Sequence, residues 1–488
     1  MVKTQIDLVC KKDMENLLGM SKYMKKLNVL FVITNINGYY DDAYSFGLAS
    51  LASVTGNKGF DFEYAVINKP QDNIDFLHLV ETKKPDIIAY TSVSSQFIFV
   101  KELSKTIHDK YADIIQVCGG VHPTIFPECL FEAPALDGIF IGESELAFSD
   151  FLNKVANNLP YKDTKNLAYI ENGKFIKNEL YPLITDLDIL PFPERKKYNY
   201  RRFVEKRDGQ VRFIFNRGCP YLCAYCSNHA VAKVYGMKAN TPRYKSPGKC
   251  IDEILEVTKE YSATKIGIID DTFGLNKQWA KEFCNKYAEK VHLPFACFLR
   301  VNMVDEELVR LLKDGGCTNV SCGIESGNEY IRNTVMKRNI SEEQVIKAYK
   351  LFDKYKILAK AFNMIGLPYE TLDNIWDTIK LNRKIKPYGG GVAIFYPYKG
   401  TELGNECFKN GLVDEKAYNT FTTERRDSVL KFPPKFKKQL LFMHENWDLF
   451  AYSKRPLIYA VTRQYTLQKL PYLWKILGII KRMIKKGE

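Results

Sequence analysis

Two runs of alternating strand and helix patterns constrain the fold of this 488-residue chain more than any other feature. The first run starts at residues 28–34, a short apolar segment rich in β-branched residues, which is typical of a buried parallel strand. Helix and strand patterns then alternate as far as Cys118. This alternation predicts a doubly wound parallel sheet, in which ligands bind at the carboxyl ends of the strands. At those ends the sequence reads TSVSS (91–95), CGGVHPT (118–124) and IGESE (141–145).

A second alternating run begins at residue 211 and predicts a partial barrel, whose chemistry lies at the carboxyl ends of its strands. The predicted fold class is therefore α/β. It consists of a doubly wound, Rossmann-like first domain, a partial (β/α)6 TIM-like barrel and a mostly helical C-terminal extension. The predicted barrel strands are residues 211–216, 265–269, 295–300, 319–323, 360–364 and 391–395.

A proline-rich stretch at residues 160–200 separates the two runs and predicts a linker. It contains the polar segment AYIENGKFIKN, whose Asn-Gly pair is typical of a hairpin turn. The predicted divisions are an N-terminal extension (1–27), the first domain (28–158), a linker (159–205), the barrel (206–404) and the C-terminal extension (405–488).

The composition excludes several classes of protein. Apolar residues make up 46% and charged residues 26% of the chain, which is ordinary for a globular protein and unlike a disordered or collagen-like one. The start of the sequence lacks the apolar core of a signal peptide, and no run of about 18 apolar residues predicts a spanning helix. The sequence therefore predicts a cytoplasmic protein, in which thiols stay reduced.

Three of the twelve cysteines are clustered directly after a predicted strand. Cys219, Cys223 and Cys226 have C-x3-C-x2-C spacing. Three thiolates in one loop can hold three corners of a 4Fe-4S cluster and leave one iron open to a small molecule, because a fully ligated cluster takes four. The alternatives are a Cys3His zinc site closed by His229, or chance. The other nine cysteines are predicted to be packing residues.

The cysteine spacing, with aromatic Tyr225 before the last cysteine, resembles the signature of the radical S-adenosylmethionine (SAM) superfamily. Later segments resemble the same family, although Tyr369 and Lys399 stand where its text commonly has glycine and proline. These segments are IIDDTF (268–273), FLR (298–300), GIESG (323–327), NMIGLPYET (363–371) and FYPYKGTEL (395–403).

This resemblance implies a reaction in which SAM, bound at the open iron, is cleaved by one electron to a 5′-deoxyadenosyl radical that abstracts a hydrogen atom from an unactivated carbon. The cofactors carry this chemistry, while the protein positions them. An internal salt bridge is the alternative role for each polar residue implied. The implied SAM contacts are Tyr225, Asp270, Asp271, Arg300, Glu325, Gly366 and Pro368.

The first domain resembles the cobalamin-binding domain that precedes the barrel in many radical SAM proteins. The family pattern S-x-(L/T/S) followed by GG fits residues 92–94 and 119–120, and the later text is close to GG-x-HPT and GE-x-E. A domain that has kept this fold without a cofactor is the alternative. The implied cobalamin contacts are Ser92, Ser94, Gly119, Gly120, His122, Pro123, Thr124, Gly142 and Glu143.

One departure from related cobalamin domains concerns the ligand below cobalt. The motif D-x-H-x-x-G, which supplies that histidine elsewhere, is absent, and the corresponding loop NINGYYDDAYSFG (35–47) has no histidine. The sequence therefore predicts cobalamin bound without its own base and without that histidine ligand. His122 is the histidine nearest the site, and its alternative role is a structural hydrogen bond.

The net charge of +14 is concentrated near the C-terminus. Residues 431–488 hold 13 Lys and Arg against three acids, a net of +10. Residues 471–486 predict an amphipathic helix with Trp474, an apolar face and a basic face, typical of an element that binds an anionic membrane surface. The alternative is a helix packed on the barrel. Charge alone does not predict a nucleic-acid partner.

The predicted function is that of a cobalamin-dependent radical SAM enzyme that methylates an unactivated carbon of a small-molecule or lipid-linked substrate. An electron donor such as flavodoxin or ferredoxin is the expected partner, with peripheral placement at the inner face of the membrane. Alternatives with the same cofactors are a cyclase, an oxidase or a rearrangement enzyme. A methylthiotransferase is disfavoured because Cys10, Cys118 and Cys129 do not match its second cluster motif. A non-catalytic cobalamin sensor or scaffold is the alternative of another class.

Overall fold

A computed structural model of the chain describes residues 25–38, 43–56, 60–420 and 425–452. Most of the predicted N-terminal extension, and the predicted helix at 471–486, lie outside the described residues. No helix within these ranges combines the length and the apolar character needed to cross a membrane.

The first domain is built on one sheet of seven strands in the described part of the chain. These strands are β1 (Asn28–Thr34), β2 (Asp61–Ile67), β3 (Ile87–Thr91), β4 (Ile115–Gly119), β5 (Gly138–Phe140), β6 (Leu167–Glu171) and β7 (Lys174–Lys177). Their order in the sheet is β2-β1-β3-β4-β5-β6-β7, and the pairs from β2 to β5 are parallel. The predicted doubly wound architecture is confirmed.

Both faces of this sheet are covered, which explains why β1 is almost continuously apolar. Leu30 and Val32 pack in a core on one side, while Phe31 and Ile33 pack in a core on the other. The helices of the domain are α1 (Phe46–Gly56), α2 (Asp72–Lys83), α3 (Phe97–Lys110), α4 (Val121–Ile125) and α5 (Glu145–Ala156).

The predicted linker is shorter than the sequence indicates, since strands β6 and β7 belong to the first sheet. Asn172 and Gly173 form their turn, with φ angles of 52° and 73°. Such positive φ values suit the two-residue hairpin predicted from the Asn-Gly pair. The hairpin pairs antiparallel with β5, so its backbone groups satisfy an edge that would otherwise be open. The first domain therefore extends about 20 residues beyond its predicted end at 158.

The second domain contains a parallel six-stranded sheet in the order β15-β14-β13-β12-β11-β8. All six predicted barrel strands correspond to strands of this sheet. A separate pair of short antiparallel strands, β9 and β10, lies beside it. The strands are β8 (Gln210–Phe213), β9 (Asn216–Arg217), β10 (Arg243–Tyr244), β11 (Lys265–Ile268), β12 (Phe295–Leu299), β13 (Cys317–Glu325), β14 (Leu358–Ile365) and β15 (Gly389–Ile394).

The two faces of the curled sheet differ in burial. On β13, Val320 and Cys322 point outward and are fully buried beneath helices, whereas Ser321 and Gly323 point inward and are partly exposed. An open inner face of this kind is expected of a partial barrel. The surrounding helices are α6 (Tyr200–Glu205), α7 (Ser227–Val234), α8 (Pro247–Tyr261), α9 (Lys277–Lys290), α10 (Glu306–Asp314), α11 (Glu342–Lys354) and α12 (Leu372–Ile385).

The C-terminal extension is helical, as predicted, and packs against the edge of the barrel at β15. Leu440, Trp447 and Phe450 share a core with Trp376 and Ile394. Its helices are α13 (Glu402–Lys409), α14 (Glu415–Thr420), α15 (Pro434–Glu445) and α16 (Trp447–Ala451).

Candidate active site between the two domains

The cysteine loop connects β9 to α7, as the strand-to-helix pattern predicts. Cys223 is buried, and Cys219 and Cys226 are partly exposed. Burial raises the pKa of Cys219, and it raises the pKa of Cys226 to about 12. These thiols favour the neutral form unless a cation binds them, and a positively charged metal cluster supplies that cation. Three cysteine thiols in one loop, two of them partly exposed, form a donor set that fits an iron–sulfur cluster.

The alternative zinc site finds no support in the side-chain arrangement. His229 Nδ1 lies 3.9 Å from a carboxylate oxygen of Glu402. Within the described ranges no three His, Cys, Asp or Glu side chains, the loop cysteines included, are close enough to share one metal ion, whereas the cysteines of a 4Fe-4S cluster each bind a separate iron. His229 therefore faces Glu402 of helix α13 rather than closing a four-ligand site.

A polar triad of two partly buried side chains and one buried arginine lies next to the cysteine loop, and one of its members was not predicted from the sequence. The Tyr225 hydroxyl donates to Glu325 Oε1 at 3.3 Å, and an Arg338 guanidinium nitrogen lies 3.5 Å from the same oxygen. Arg338 also donates to the Tyr225 hydroxyl and, at 2.6 Å, to the Gly323 carbonyl. Burial raises the pKa of Glu325, although Arg338 opposes that effect. The structure thus brings two implied SAM contacts together around one arginine.

Glu325 occupies an uncommon backbone conformation, with φ of 66°. A non-glycine residue in the left-handed region costs free energy, and such residues cluster at functional sites. The register between β13 and β14 shifts at the same position. This irregularity turns the carboxylate toward Tyr225, where a regular strand would continue.

Arg300 contacts the cysteine loop directly. Its Nη1 donates to Cys223 Sγ at 3.2 Å, and its guanidinium carbon lies 3.9 Å from the centre of the Tyr221 ring. A hydrogen bond from a cationic donor to sulfur is charge-assisted, so it fixes the position of the Cys223 side chain. The implied contact of Arg300 with SAM stays a prediction.

The two neighbouring aspartates have different environments. Asp270 is fully buried, and its Oδ1 accepts backbone hydrogen bonds from Phe215 (2.6 Å) and Asn216 (3.2 Å). Burial raises its pKa to about 7. Asp271 instead lines the cavity between the domains and hydrogen-bonds to Asn228. Asp270 therefore braces the backbone that leads to β9, and Asp271 is the better placed to meet a ligand.

The GLPYET loop is held by a carboxylate to which the sequence had assigned no role. Glu370 Oε2 accepts hydrogen bonds from the backbone N–H groups of Gly366 (2.5 Å) and Leu367 (3.2 Å), and burial raises its pKa to about 8. Gly366 has φ of 75°, and a Cβ there would lie 2.8 Å from Leu440 Cδ2. Leu440, in the C-terminal extension, therefore fixes the space around this loop. Pro368 is buried within the loop.

A cavity of about 400 Å³ lies between the domains, at the carboxyl ends of both sheets. The first domain contributes Gly119, Gly120 and Gly142 to its wall. The barrel contributes Gly218, which precedes Cys219, and Asp271. Ligands of doubly wound sheets and of barrels bind at this end of the strands. The cavity therefore joins the predicted cobalamin loops to the predicted cluster loop.

Glycine is required at two positions of the cavity wall. Gly120 has φ of 102°, and a Cβ there would lie 2.6 Å from the Ser92 carbonyl oxygen. Gly142 has φ of 82°, and a Cβ there would overlap the Tyr235 hydroxyl. Both glycines leave backbone exposed to the cavity, where a large flat ligand needs close approach. This part of the wall fits the cobalamin that the sequence implies.

The other implied cobalamin residues brace the loops from behind. Thr124 Oγ1 donates to the Gly120 carbonyl at 2.7 Å and accepts from the Gly142 N–H at 3.0 Å. Ser92 is buried, and its hydroxyl donates to the Val93 carbonyl at 2.9 Å. Pro123 is buried within helix α4. These contacts support positioning roles, and direct contact with cobalamin stays a prediction.

His122 is buried and hydrogen-bonded away from the main cavity. Its Nδ1 lies 3.0 Å from Ser94 Oγ, and its ring packs 4.7 Å from the Phe97 ring centre. Burial, helped by Lys399, lowers the pKa of His122 to about 3, so the ring is uncharged at neutral pH. This environment favours the structural role that the sequence left open.

Glu143 belongs to a group of charges that joins the domains, which was not predicted. Its carboxylate accepts hydrogen bonds from Arg217 Nη1 (2.9 Å) and Arg243 Nη1 (3.0 Å). Arg217 Nη2 also contacts Glu145 Oε1 at 2.5 Å. We call these four side chains, Glu143, Glu145, Arg217 and Arg243, the interdomain quartet. Glu143 and Glu145 lie in the IGESE segment and Arg217 in the RGC segment, but the sequence does not show that these two segments meet.

Family models match both domains. The B12 binding domain matches residues 33–152, and the radical SAM superfamily matches residues 213–381. The fold and site thus define a radical SAM domain joined to a B12 binding domain. The chain belongs to the radical SAM proteins that contain a B12 binding domain, and these two domains confirm the predicted cofactors, a 4Fe-4S cluster, SAM and cobalamin.

Relatives cover most of the chain. An uncharacterized methyltransferase, PH0819 of Pyrococcus horikoshii, is 29% identical over 79% of this chain and 82% of its own. The anaerobic magnesium-protoporphyrin IX monomethyl ester cyclase of Rubrivivax gelatinosus is 26% identical over 94% and 83%. The cytidylyl-2-hydroxyethylphosphonate methyltransferase of Streptomyces wedmorensis is 26% identical over 70% of each chain.

One solved structure extends the likeness to nearly the whole fold. The cobalamin-dependent SAM radical enzyme OxsB, with aqua-cobalamin and SAM bound, superposes with a TM-score of 0.68 at 16% identity. The match covers 94% of this chain and 75% of that one. The two proteins therefore share the order and architecture of both domains.

Proposed function

We propose that this enzyme transfers a methyl group from SAM to an unactivated carbon of a small-molecule or lipid-linked substrate. The observation that carries the proposal is a cavity lined by both the first-domain glycines and the segment that leads into the cysteine loop. When bound, the cluster supplies the electron that cleaves SAM, and cobalamin supplies methyl-group chemistry. Two methyltransferases among the relatives support this choice.

The residues of the chain divide this work. Cys219, Cys223 and Cys226 would hold the cluster, with Arg300 donating to Cys223. Asp271 and Glu325 would orient SAM, and Arg338 keeps Glu325 in place by an ion pair. Buried, preoriented polar groups favour catalysis because they need little rearrangement during the reaction.

The first domain contributes shape. Gly119, Gly120 and Gly142 would admit cobalamin against the backbone, while Thr124 holds two of these loops together. The absence of a histidine from the described wall of the cavity supports cobalamin without a histidine ligand. An electron donor of the flavodoxin or ferredoxin class would reduce the cluster.

The decisive experiment counts two products. Anaerobically purified protein would be reconstituted with iron and sulfide, then given cobalamin, SAM and a reductant in the presence of candidate substrates. We expect both 5′-deoxyadenosine and S-adenosylhomocysteine. A Gly120→Ala variant serves as the comparison, since at subsaturating cobalamin it should form less S-adenosylhomocysteine than the wild type and keep 5′-deoxyadenosine. If the fully loaded wild-type protein made neither product, the enzyme proposal would fail.

A cyclase is the second candidate, because the Rubrivivax gelatinosus cyclase aligns with 94% of this chain. The same assay separates the two. A cyclase would form 5′-deoxyadenosine without stoichiometric S-adenosylhomocysteine, whatever the substrate.

Peripheral membrane binding is a further part of the proposal and rests on the sequence of residues 471–486. Deleting residues 470–488 should abolish co-sedimentation with vesicles that contain anionic phosphatidylglycerol. Vesicles of phosphatidylcholine alone are the control. Unchanged binding to anionic vesicles after the deletion would contradict it.

A further inference from the structure

The interdomain quartet contacts the cysteine loop at its beginning. Arg217 is the last residue of β9 and lies two positions before Cys219. Its two terminal nitrogens contact different carboxylates of the first domain, Glu143 and Glu145. Glu145 is nearly fully buried and also accepts a hydrogen bond from Ser50 in α1 at 2.8 Å.

The end of helix α7 contacts the same first-domain loop on the far side of the cysteines. Tyr235, which follows α7, accepts a hydrogen bond from the Glu143 N–H at 2.7 Å. Arg243, which pairs with Arg217 across β9 and β10, reaches Glu143 and the Ile184 carbonyl. The cysteine loop is therefore flanked by two attachments to residues 142–145.

The same first-domain loop forms part of the cavity wall. Gly142, Glu143 and Glu145 line the cavity, and so does Arg217 from the barrel side. Any ligand that fixes this wall also fixes the carboxylates that hold Arg217. Two glutamates and two arginines balance in charge, so the connection needs no external ion.

We propose that Arg217 is a positioning residue that couples occupancy of the cavity to the geometry of the cysteine loop, so that cobalamin and the cluster each strengthen binding of the other. This inference rests on the proposed function, since it takes the cavity to be the cobalamin site. By linkage, an effect of the cluster on cobalamin affinity must equal the effect of cobalamin on cluster affinity.

The planar fork of arginine is what makes this coupling specific. Arg217 bridges two carboxylates with two nitrogens, whereas lysine presents one point charge and can satisfy only one of them well. Arg217→Lys keeps the charge of the interface and removes the bridge. Arg217→Gln removes both.

The first test measures affinity for hydroxocobalamin by equilibrium dialysis, using full-length protein with and without a reconstituted cluster. We expect the cluster to tighten binding about tenfold in the wild type. In Arg217→Lys and Arg217→Gln the ratio should fall to about one, while iron content and the circular dichroism spectrum stay those of the wild type. A merely structural role would lower stability and leave this ratio unchanged.

Lys399→Gln is the matched control. Lys399 also pairs across the domain interface, with Glu132 at 3.4 Å, but it does not contact the quartet. The tenfold ratio should persist in this variant. A ratio that also disappears in Lys399→Gln, or one that persists in Arg217→Lys, would overturn the assignment to Arg217.

A wild-type measurement removes dependence on the folding of any variant. Adding hydroxocobalamin to cluster-free protein should slow amide hydrogen exchange in residues 217–235 and leave α10 unchanged. Unchanged exchange in 217–235 would overturn the inference. Wild-type protein that binds no cobalamin in either form would overturn the proposed function, whereas equal binding in both forms would overturn the coupling alone.

Discussion

The two walls of the interdomain cavity recognise ligands by different means. The first-domain wall offers glycines with positive φ angles and exposed backbone, and its two carboxylates, Glu143 and Glu145, are neutralised by Arg217. The barrel wall offers charge, with Asp271 and Arg217 at the cavity and the triad of Tyr225, Glu325 and Arg338 beside the cysteines. We therefore expect mutations of the first-domain glycines to change the shape of the cavity. Mutations on the barrel wall should instead change its charge or its metal binding.

The largest expected effect is on the barrel wall. Cys219→Ala removes one of three cluster ligands, so iron content and 5′-deoxyadenosine formation should fall below detection. Iron analysis, visible absorbance and chromatography measure these quantities. Cys284→Ala, which removes a buried thiol remote from the loop, should keep full iron content. Substantial 5′-deoxyadenosine from Cys219→Ala would show that SAM cleavage does not depend on this cysteine loop.

The next largest effect is on the first-domain wall. Gly120→Ala should weaken cobalamin binding by about tenfold or more, because its Cβ would press on the Ser92 carbonyl and its φ is unfavourable for alanine. Equilibrium dialysis measures the affinity, and iron content should stay unchanged. Gly173→Ala also changes a glycine with positive φ, but with no atom within 4 Å, so it controls for backbone strain alone. Equal losses in both variants would contradict a role for space at Gly120.

A smaller effect concerns stability and pH. Burial raises the pKa of Asp270 from its ordinary value of 3.8 to about 7, so the folded apoprotein holds a proton that the unfolded chain releases. This contribution is fully present below pH 3.8 and is lost as pH rises through about 7. As pH rises, the free energy of unfolding of the Asp270→Asn variant should fall by about 2 to 4 kcal/mol less than that of the wild type. Urea unfolding of apoprotein between pH 4 and 8 measures it, and an unchanged slope would contradict the prediction.

The smallest effect tests the division between the walls. His122→Gln should change cobalamin affinity by no more than about twofold, because the ring is bonded to Ser94 and lies outside the main cavity. The electron paramagnetic resonance spectrum of reduced cobalamin should lack nitrogen splitting in wild type and variant alike. Nitrogen splitting that disappears in the variant would make His122 a cobalt ligand and contradict its structural role.

The sequence predicted well those features that are local. Strand β1 begins and ends where its apolar run does, and the Asn172-Gly173 turn was evident from two residues. The loops at the strand ends were also predicted, because motif and strand are adjacent in the chain. The pairing of the hairpin with β5 was not predicted, because backbone pairing at a sheet edge has no residue-specific signal in the sequence.

Ion pairs between residues that are distant in the sequence were not predicted either, because the local sequence does not show which side chains meet. Arg338 pairs with Glu325 across 13 positions, and Arg217 pairs with Glu143 across 74. Many surface arginines in the chain have the same local appearance. Only the folded arrangement shows which of them face a buried carboxylate, and Glu370 escaped because its partners are backbone N–H groups.

The contact between Leu440 and Gly366 has a consequence for how the enzyme is made. The GLPYET loop belongs to the barrel, yet its final packing uses a side chain 74 positions further along the chain. During synthesis, domains fold as units from the N-terminus while the ribosome is still adding residues. The first domain can close early, whereas this loop must wait for helix α15 to emerge. Completion of the loop that carries the implied SAM contacts Gly366 and Pro368 is therefore a late step in the folding of each molecule.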